Sequence, residues 1–100
     1  MYCYIWSYVV RPECVELFRQ AYGPSGEWVQ FFQRNTGYVR TDLLIDRNNP
    51  DRFLTIDHWS TQRDFATFRE RFRDKFDAID HKMNEWTVQE THLGDYEVLD

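Results

Sequence analysis

Between Gly37 and Met83 the hydrophobic pattern changes rhythm once. Two extended runs, Gly37–Asp46 and Arg52–Ser60, give way to Phe65, Phe68, Phe72, Phe76, Ile79 and Met83. Gaps of three and four place all six on one stripe of a helix, which must lie against an apolar surface. The sheet formed by the preceding strands is the simplest such surface. Upstream, residues 2–10 are β-branched and aromatic, with Tyr2, Tyr4, Trp6 and Tyr8 on one strand face and Cys3, Ile5, Ser7 and Val9 on the other. Arg11-Pro12 ends that strand, and Pro12 suits the first turn of a helix carrying Cys14, Leu17, Phe18 and Ala21 on one side.

Tyr22-Gly23-Pro24-Ser25-Gly26 interrupts this helix, and Ser25 is positioned to cap a second segment with Trp28, Phe31 and Phe32 inward. Gly37 is expected to stop it. Asp46 to Asp51 reads as a polar hairpin turn, and Ser60 or Thr61 is expected to cap the phenylalanine helix, Asp64 completing a capping box if the cap is Thr61. Strand character resumes at Trp86–Thr91, with a last extended piece past Gly94. The resulting order is strand–helix–strand–strand–helix–strand. It predicts an α+β domain: a ferredoxin-like βαββαβ antiparallel sheet with both helices on one face.

One hundred residues suit a single domain, residues 1–100, with one core. With 42% hydrophobic and 18% aromatic residues the chain has ample material to fold. Every predicted strand also carries large apolar residues at both parities, such as Leu43 beside Leu44 and Phe53 and Trp59 against Leu54 and Ile56. The bare side of the sheet would therefore be apolar, which predicts a homodimer with the sheets packed face to face.

Twelve Lys and Arg against seventeen Asp and Glu leave a net charge of −5, and Arg69, Arg71 and Arg73 alternate with Glu70 and Asp74. Nucleic acid is thus not an expected partner. No apolar run approaches the ~20 residues of a membrane span. The start, Met1-Tyr2-Cys3-Tyr4, lacks a secretory signal, so the cytoplasm is expected. Cys3 and Cys14 fall at opposite ends of the first strand, on the order of 20 Å apart, too far for a disulfide. They have no neighbouring histidines, and no metal site is expected.

Several segments together resemble the antibiotic biosynthesis monooxygenase family. They are Tyr22-Gly23-Pro24 followed by Gly26-Glu27-Trp28, Gly37-Tyr38 with Thr41-Asp42-Leu43-Leu44, and Leu54-Thr55-Ile56-Asp57-His58-Trp59-Ser60 leading into the Phe-rich helix. The resemblance runs from Tyr4 to Gly94 and implies a dimeric α+β barrel. It also implies a small oxygenase that oxidises an aromatic, polyphenolic or quinol-type molecule with dioxygen and no cofactor. The pocket would lie between sheet and helices. Such chemistry needs a dry aromatic enclosure, a group that assists deprotonation, and donors for the resulting anion.

By this resemblance Trp59 is the leading wall, with Trp6, Tyr22 and Trp28 completing the enclosure. Arg40, Asp57, His58 and Glu90 are the polar groups on predicted strands from which a base or anion holder would come. Asp57 and His58 are adjacent and face opposite ways, so at most one of them faces the pocket. Plainer roles stand beside these: the tryptophans as core or dimer interface, and Asp57, Arg40 and Glu90 as cross-strand pairs. Haem-degrading relatives present a histidine on the second helix about three turns after the tryptophan. Here that stretch reads Phe68-Arg69-Glu70-Arg71-Phe72, which disfavours haem. The alternative to an oxygenase is a non-catalytic dimeric barrel that binds a small apolar ligand or serves a structural role.

Overall fold

A computed structural model describes residues 1–99. Four strands form one antiparallel sheet: β1 (Tyr2–Val10), β2 (Tyr38–Asp46), β3 (Asn49–Trp59) and β4 (Thr87–Glu97). Their order is β2-β3-β1-β4, the ferredoxin-like arrangement expected from the element order. Helices α1 (Val15–Tyr22) and α2 (Glu27–Phe32) join β1 to β2, and α3 (Gln62–Arg71) and α4 (Arg73–Met83) join β3 to β4. Both pairs cover one side of the sheet.

Register assigns each strand residue to a side. Tyr4 stands opposite Asp57 and Asp95, and Tyr8 opposite Phe53 and Glu90. Cross-strand partners share a face, so these residues look toward the helices. Cys3 stands opposite His58 and Tyr96, Ile56 opposite Ile5 and Asp42, and Leu54 opposite Ser7 and Leu44. These occupy the uncovered side.

The core fills the space between sheet and helices, and Trp59, Phe18, Phe53, Met83 and Val10 are almost wholly buried. Phe18 stacks on Tyr22 with ring centroids 4.1 Å apart, while Trp59 meets Phe32 and Phe68 edge-on and tilted. Loss of one such ring removes about 3–5 kcal/mol of stability.

Several local expectations are corrected. The phenylalanine helix is two helices, because the backbone at Phe72 departs from helical values (φ −114, ψ 31). Its apolar stripe survives the break, since Phe72 N–H still bonds to the Phe68 carbonyl and Phe76 N–H to that of Phe72. Gly26, not Ser25, precedes α2, and a Cβ there would overlap the carbonyl oxygens of Gln20 and Ala21. The interruption thus works by close backbone packing. The α2 helix already ends at Phe32, and Gly37 instead supplies a positive φ of 89 where the chain turns into β2. The hairpin is tighter than expected, with only Arg47-Asn48 between β2 and β3. The two C-terminal extended pieces form one strand, with an irregularity where the register passes from Ile5–Gly94 to Trp6–His92. Leu17 is half exposed and does not join the core. Of the two caps expected, Thr61 is the one used, its hydroxyl accepting the Asp64 N–H at 3.0 Å.

Candidate active site

A cavity of about 390 Å³ opens between the helix-facing side of the sheet and the helices. Strand β1 places Tyr2, Tyr4, Trp6 and Tyr8 on its floor through the two-residue repeat of its side chains. Tyr22, at the end of α1, and Trp28, in the first turn of α2, form one wall, and Phe65 and Phe76 reach in from α3 and α4. The size suits a small multi-ring molecule.

Asp57 is the buried acid of this cavity, only 8% exposed. The Thr41 hydroxyl on the neighbouring strand donates to its Oδ1 in a short hydrogen bond. Burial pushes the Asp57 carboxyl up to about 6, against the Thr41 hydrogen bond and the nearby Tyr4 hydroxyl, which both favour the ionised form. At neutral pH the group is therefore a carboxylate, but a more basic one than an exposed aspartate.

The Tyr4 hydroxyl, near Asp57, and Trp28 Nε1, near Tyr22, are buried without a hydrogen bond of normal geometry among the described residues. Unpaired donors of this kind are costly. Both residues line the cavity, so an acceptor atom on a bound molecule would satisfy them. Tyr8 differs, because its hydroxyl is held by Thr55 Oγ1 at 3.2 Å. Glu90 lies on β4 beside Tyr8, with its Oε1 receiving the Thr87 hydroxyl at 3.3 Å. Burial raises its carboxyl, and the neighbouring Asp80 adds to the effect.

The residues expected from sequence divide into three groups. Asp57, Glu90, Trp6, Tyr22 and Trp28 line the cavity together. Arg40 and His58 do not: they stand opposite each other on the uncovered side of the sheet, where both approach Asp42 Oδ2, at 3.4 Å and 3.0 Å. Asp57 therefore pairs across the sheet with Thr41, not with Arg40. Trp59 is wholly buried behind the cavity, packed on Tyr38 and Phe65, and forms no part of its wall. Tyr4, Thr41, Asp80 and His92 were not singled out from sequence, although the placement of Tyr4 on the same strand face as Trp6 was available there.

No protein-family model matches the sequence, and no curated relative was found for it. Solved structures are informative. SnoaB from Streptomyces nogalater, a cofactor-independent oxygenase, superposes with a TM-score of 0.73 at 19% identity, covering 99% of this chain and 93% of that one. The fold is that of the antibiotic biosynthesis monooxygenases. Two further structures bearing that family name as candidates agree. The one from Deinococcus radiodurans has a TM-score of 0.71 at 19% identity, with 100% of this chain and 94% of that chain covered. The one from Nitrosomonas europaea has 0.68 at 21%, with 98% and 89% covered.

Within this antibiotic biosynthesis monooxygenase fold the cavity lies where the sequence resemblance implied, between sheet and helices. Among the described residues no three His, Cys, Asp or Glu side chains converge as metal ligands, and no helix is long and apolar enough to cross a membrane.

Proposed function

We propose that the protein is a small oxygenase that oxidises a phenolic or quinol-type aromatic molecule with dioxygen, using no resident cofactor. The observation that carries this reading is a buried, abnormally basic Asp57 with the Tyr4 hydroxyl near it, both facing an aromatic cavity. Asp57 takes the substrate's acidic proton, and the Tyr4 hydroxyl donates to the anion that forms. The electron-rich ring then reduces dioxygen. One oxygen atom replaces a ring hydrogen and becomes a carbonyl, and the other leaves as water with that hydrogen and the phenolic one. The substrate supplies all four electrons, so the balance needs no external reductant.

Fold likeness to SnoaB supports this reading at the level of architecture. Oxygen uptake with hydroquinones and anthrones tests it. The wild type is expected to consume oxygen, and Asp57→Asn to lose at least a hundredfold in kcat. No uptake by the wild type across that panel refutes it.

The same reading includes a homodimer. The uncovered sheet side carries Ile5, Val9, Leu54 and Ile56, with Leu44 and Tyr96 nearly half exposed. The buried His58 Nδ1, unpartnered among the described residues, lies on that side too. Cys3 and Cys14 are free thiols, in keeping with a cytoplasmic location. A non-catalytic ligand-binding barrel is the competing reading, because the Thr41 hydrogen bond gives Asp57 a structural partner. It predicts binding of the same aromatics without oxygen consumption.

A further inference from the structure

The cavity is lined by more acidic than basic side chains, which favours a cationic group on the aromatic molecule it takes. Four carboxylates line it, from Asp57, Asp80, Glu90 and Asp95, against one arginine, Arg69, and one histidine, His92. Both basic groups are engaged. Arg69 binds Asp77 at 2.8 Å and lies 4.1 Å over the Phe76 ring, and His92 Nε2 bonds to Asp95 Oδ1 at 2.8 Å. Among the described residues neither Asp80 nor Glu90 forms a salt bridge, although Arg69 and His81 act on Asp80 from further off, and both carboxylates are half-buried.

These two carboxylates gather at one end. Glu90 is the register partner of Tyr8, whose ring lies 5.2 Å from that of Tyr22, and Asp80 lines the same cavity one helical turn after Phe76 on α4. Trp28 stands beside Tyr22 and Phe76, with ring centroids 6.2 Å and 5.0 Å away. An aromatic box edged by unpaired carboxylates is the arrangement that recognises an ammonium group, through ring quadrupoles and charge together. At the Asp57 end the Tyr4 hydroxyl, buried without a hydrogen bond of normal geometry, independently calls for a ligand carrying an acceptor atom as well. Asp57 lies at the other end, four register positions along β1 and one strand beyond it, on the order of 15 Å from Glu90 between backbones.

We propose that the cavity takes an aromatic amine, with its ammonium group between Asp80 and Glu90 against Tyr22 and Trp28, and its oxygen-bearing ring extended toward Tyr4 and Asp57. This deepens the oxygenase reading by naming a substrate class, and it rests on that reading only for the fate of the ring. The ammonium also offsets the repulsion that four carboxylates would exert on a ring anion.

The test is binding to the intact protein, followed by tryptophan fluorescence and calorimetry, of three matched probes: 2-(2-naphthyl)ethylamine, 2-(2-naphthyl)ethanol and 3-(2-naphthyl)propanoate. The amine is expected to bind at least tenfold more tightly than the alcohol, and the propanoate more weakly than either. Asp80→Asn with Glu90→Gln is expected to bring amine and alcohol within twofold, with an unchanged near-UV circular dichroism spectrum as the check on folding. If the double variant loses the alcohol too, each single variant must still narrow the preference. Equal or tighter binding of the alcohol or propanoate, or no binding of any probe, overturns the proposal. Amine preference without oxygen uptake on any phenol would sink the oxygenase reading alone, whereas uptake on neutral quinols without amine preference would sink this one alone.

Discussion

Replacing Asp57 with Asn is expected to raise stability at neutral pH while removing activity. The carboxyl is nearly buried, and its proton affinity in the folded chain corresponds to about 6 against 3.8 in the open chain. At about 1.4 kcal/mol for each tenfold change, that difference amounts to about 3 kcal/mol. Its sign follows from proton binding. Between pH 3.8 and about 6 the folded chain holds a proton that the unfolded chain has released, so wild-type stability falls as pH rises through that window. Above it the folded state carries a buried charge, and below it both states are neutral.

The Asn variant keeps the shape and an acceptor for Thr41 and never carries the charge. It should match the wild type below pH 4 and exceed it by about 2–3 kcal/mol at pH 7.5, a melting temperature roughly 10 °C or more higher. Asp80 and Glu90 titrate in the same direction but are common to both proteins and cancel in the difference. Urea and thermal unfolding at pH 4 and 7.5, at one fixed protein concentration, provide the measurement. A variant less stable at pH 7.5, or a gap that does not change with pH, refutes the reasoning.

Other predictions are smaller in scope. Tyr4→Phe removes a buried hydroxyl that favours ionised Asp57, so stability should hold at pH 4 and fall at pH 7.5 while kcat falls about a hundredfold; steady-state oxygen uptake and melting curves at the two pH values check both halves. Leu54→Arg places a charge in the middle of the uncovered sheet side and should convert a dimer to a monomer by sedimentation velocity. An unchanged sedimentation coefficient at micromolar concentration would remove that face from the interface. Thr61→Ala deletes the cap of α3 and should cost about 1 kcal/mol in urea unfolding, with no change in ligand binding.

The sheet and its single helical layer were legible because the two hydrophobic periods are clean and the crossover rules leave few topologies. The break at Phe72 was not: Arg71-Phe72-Arg73 contains no glycine or proline, and the stripe continues through it. For the site, parity alone showed that Asp57 and His58 diverge, but only the register against Tyr4 shows which of them meets the helices. Arg40 and Trp59 illustrate the same limit, since a strand residue's use depends on the side and depth it occupies. Asp80 escaped notice because it follows Ile79 on a helix rich in charge, where a carboxylate reads as solvated until the facing strand is known.

The central claim is chemical: this aromatic cavity, with Asp57 as base, lets a substrate reduce dioxygen by itself. Turnover of a hydroquinone or anthrone under oxygen-18 gas, with chelator present, measures that step. The account predicts a product heavier by one labelled oxygen atom in the wild type and none in Asp57→Asn. Unlabelled product, or equal labelling in both proteins, would contradict it.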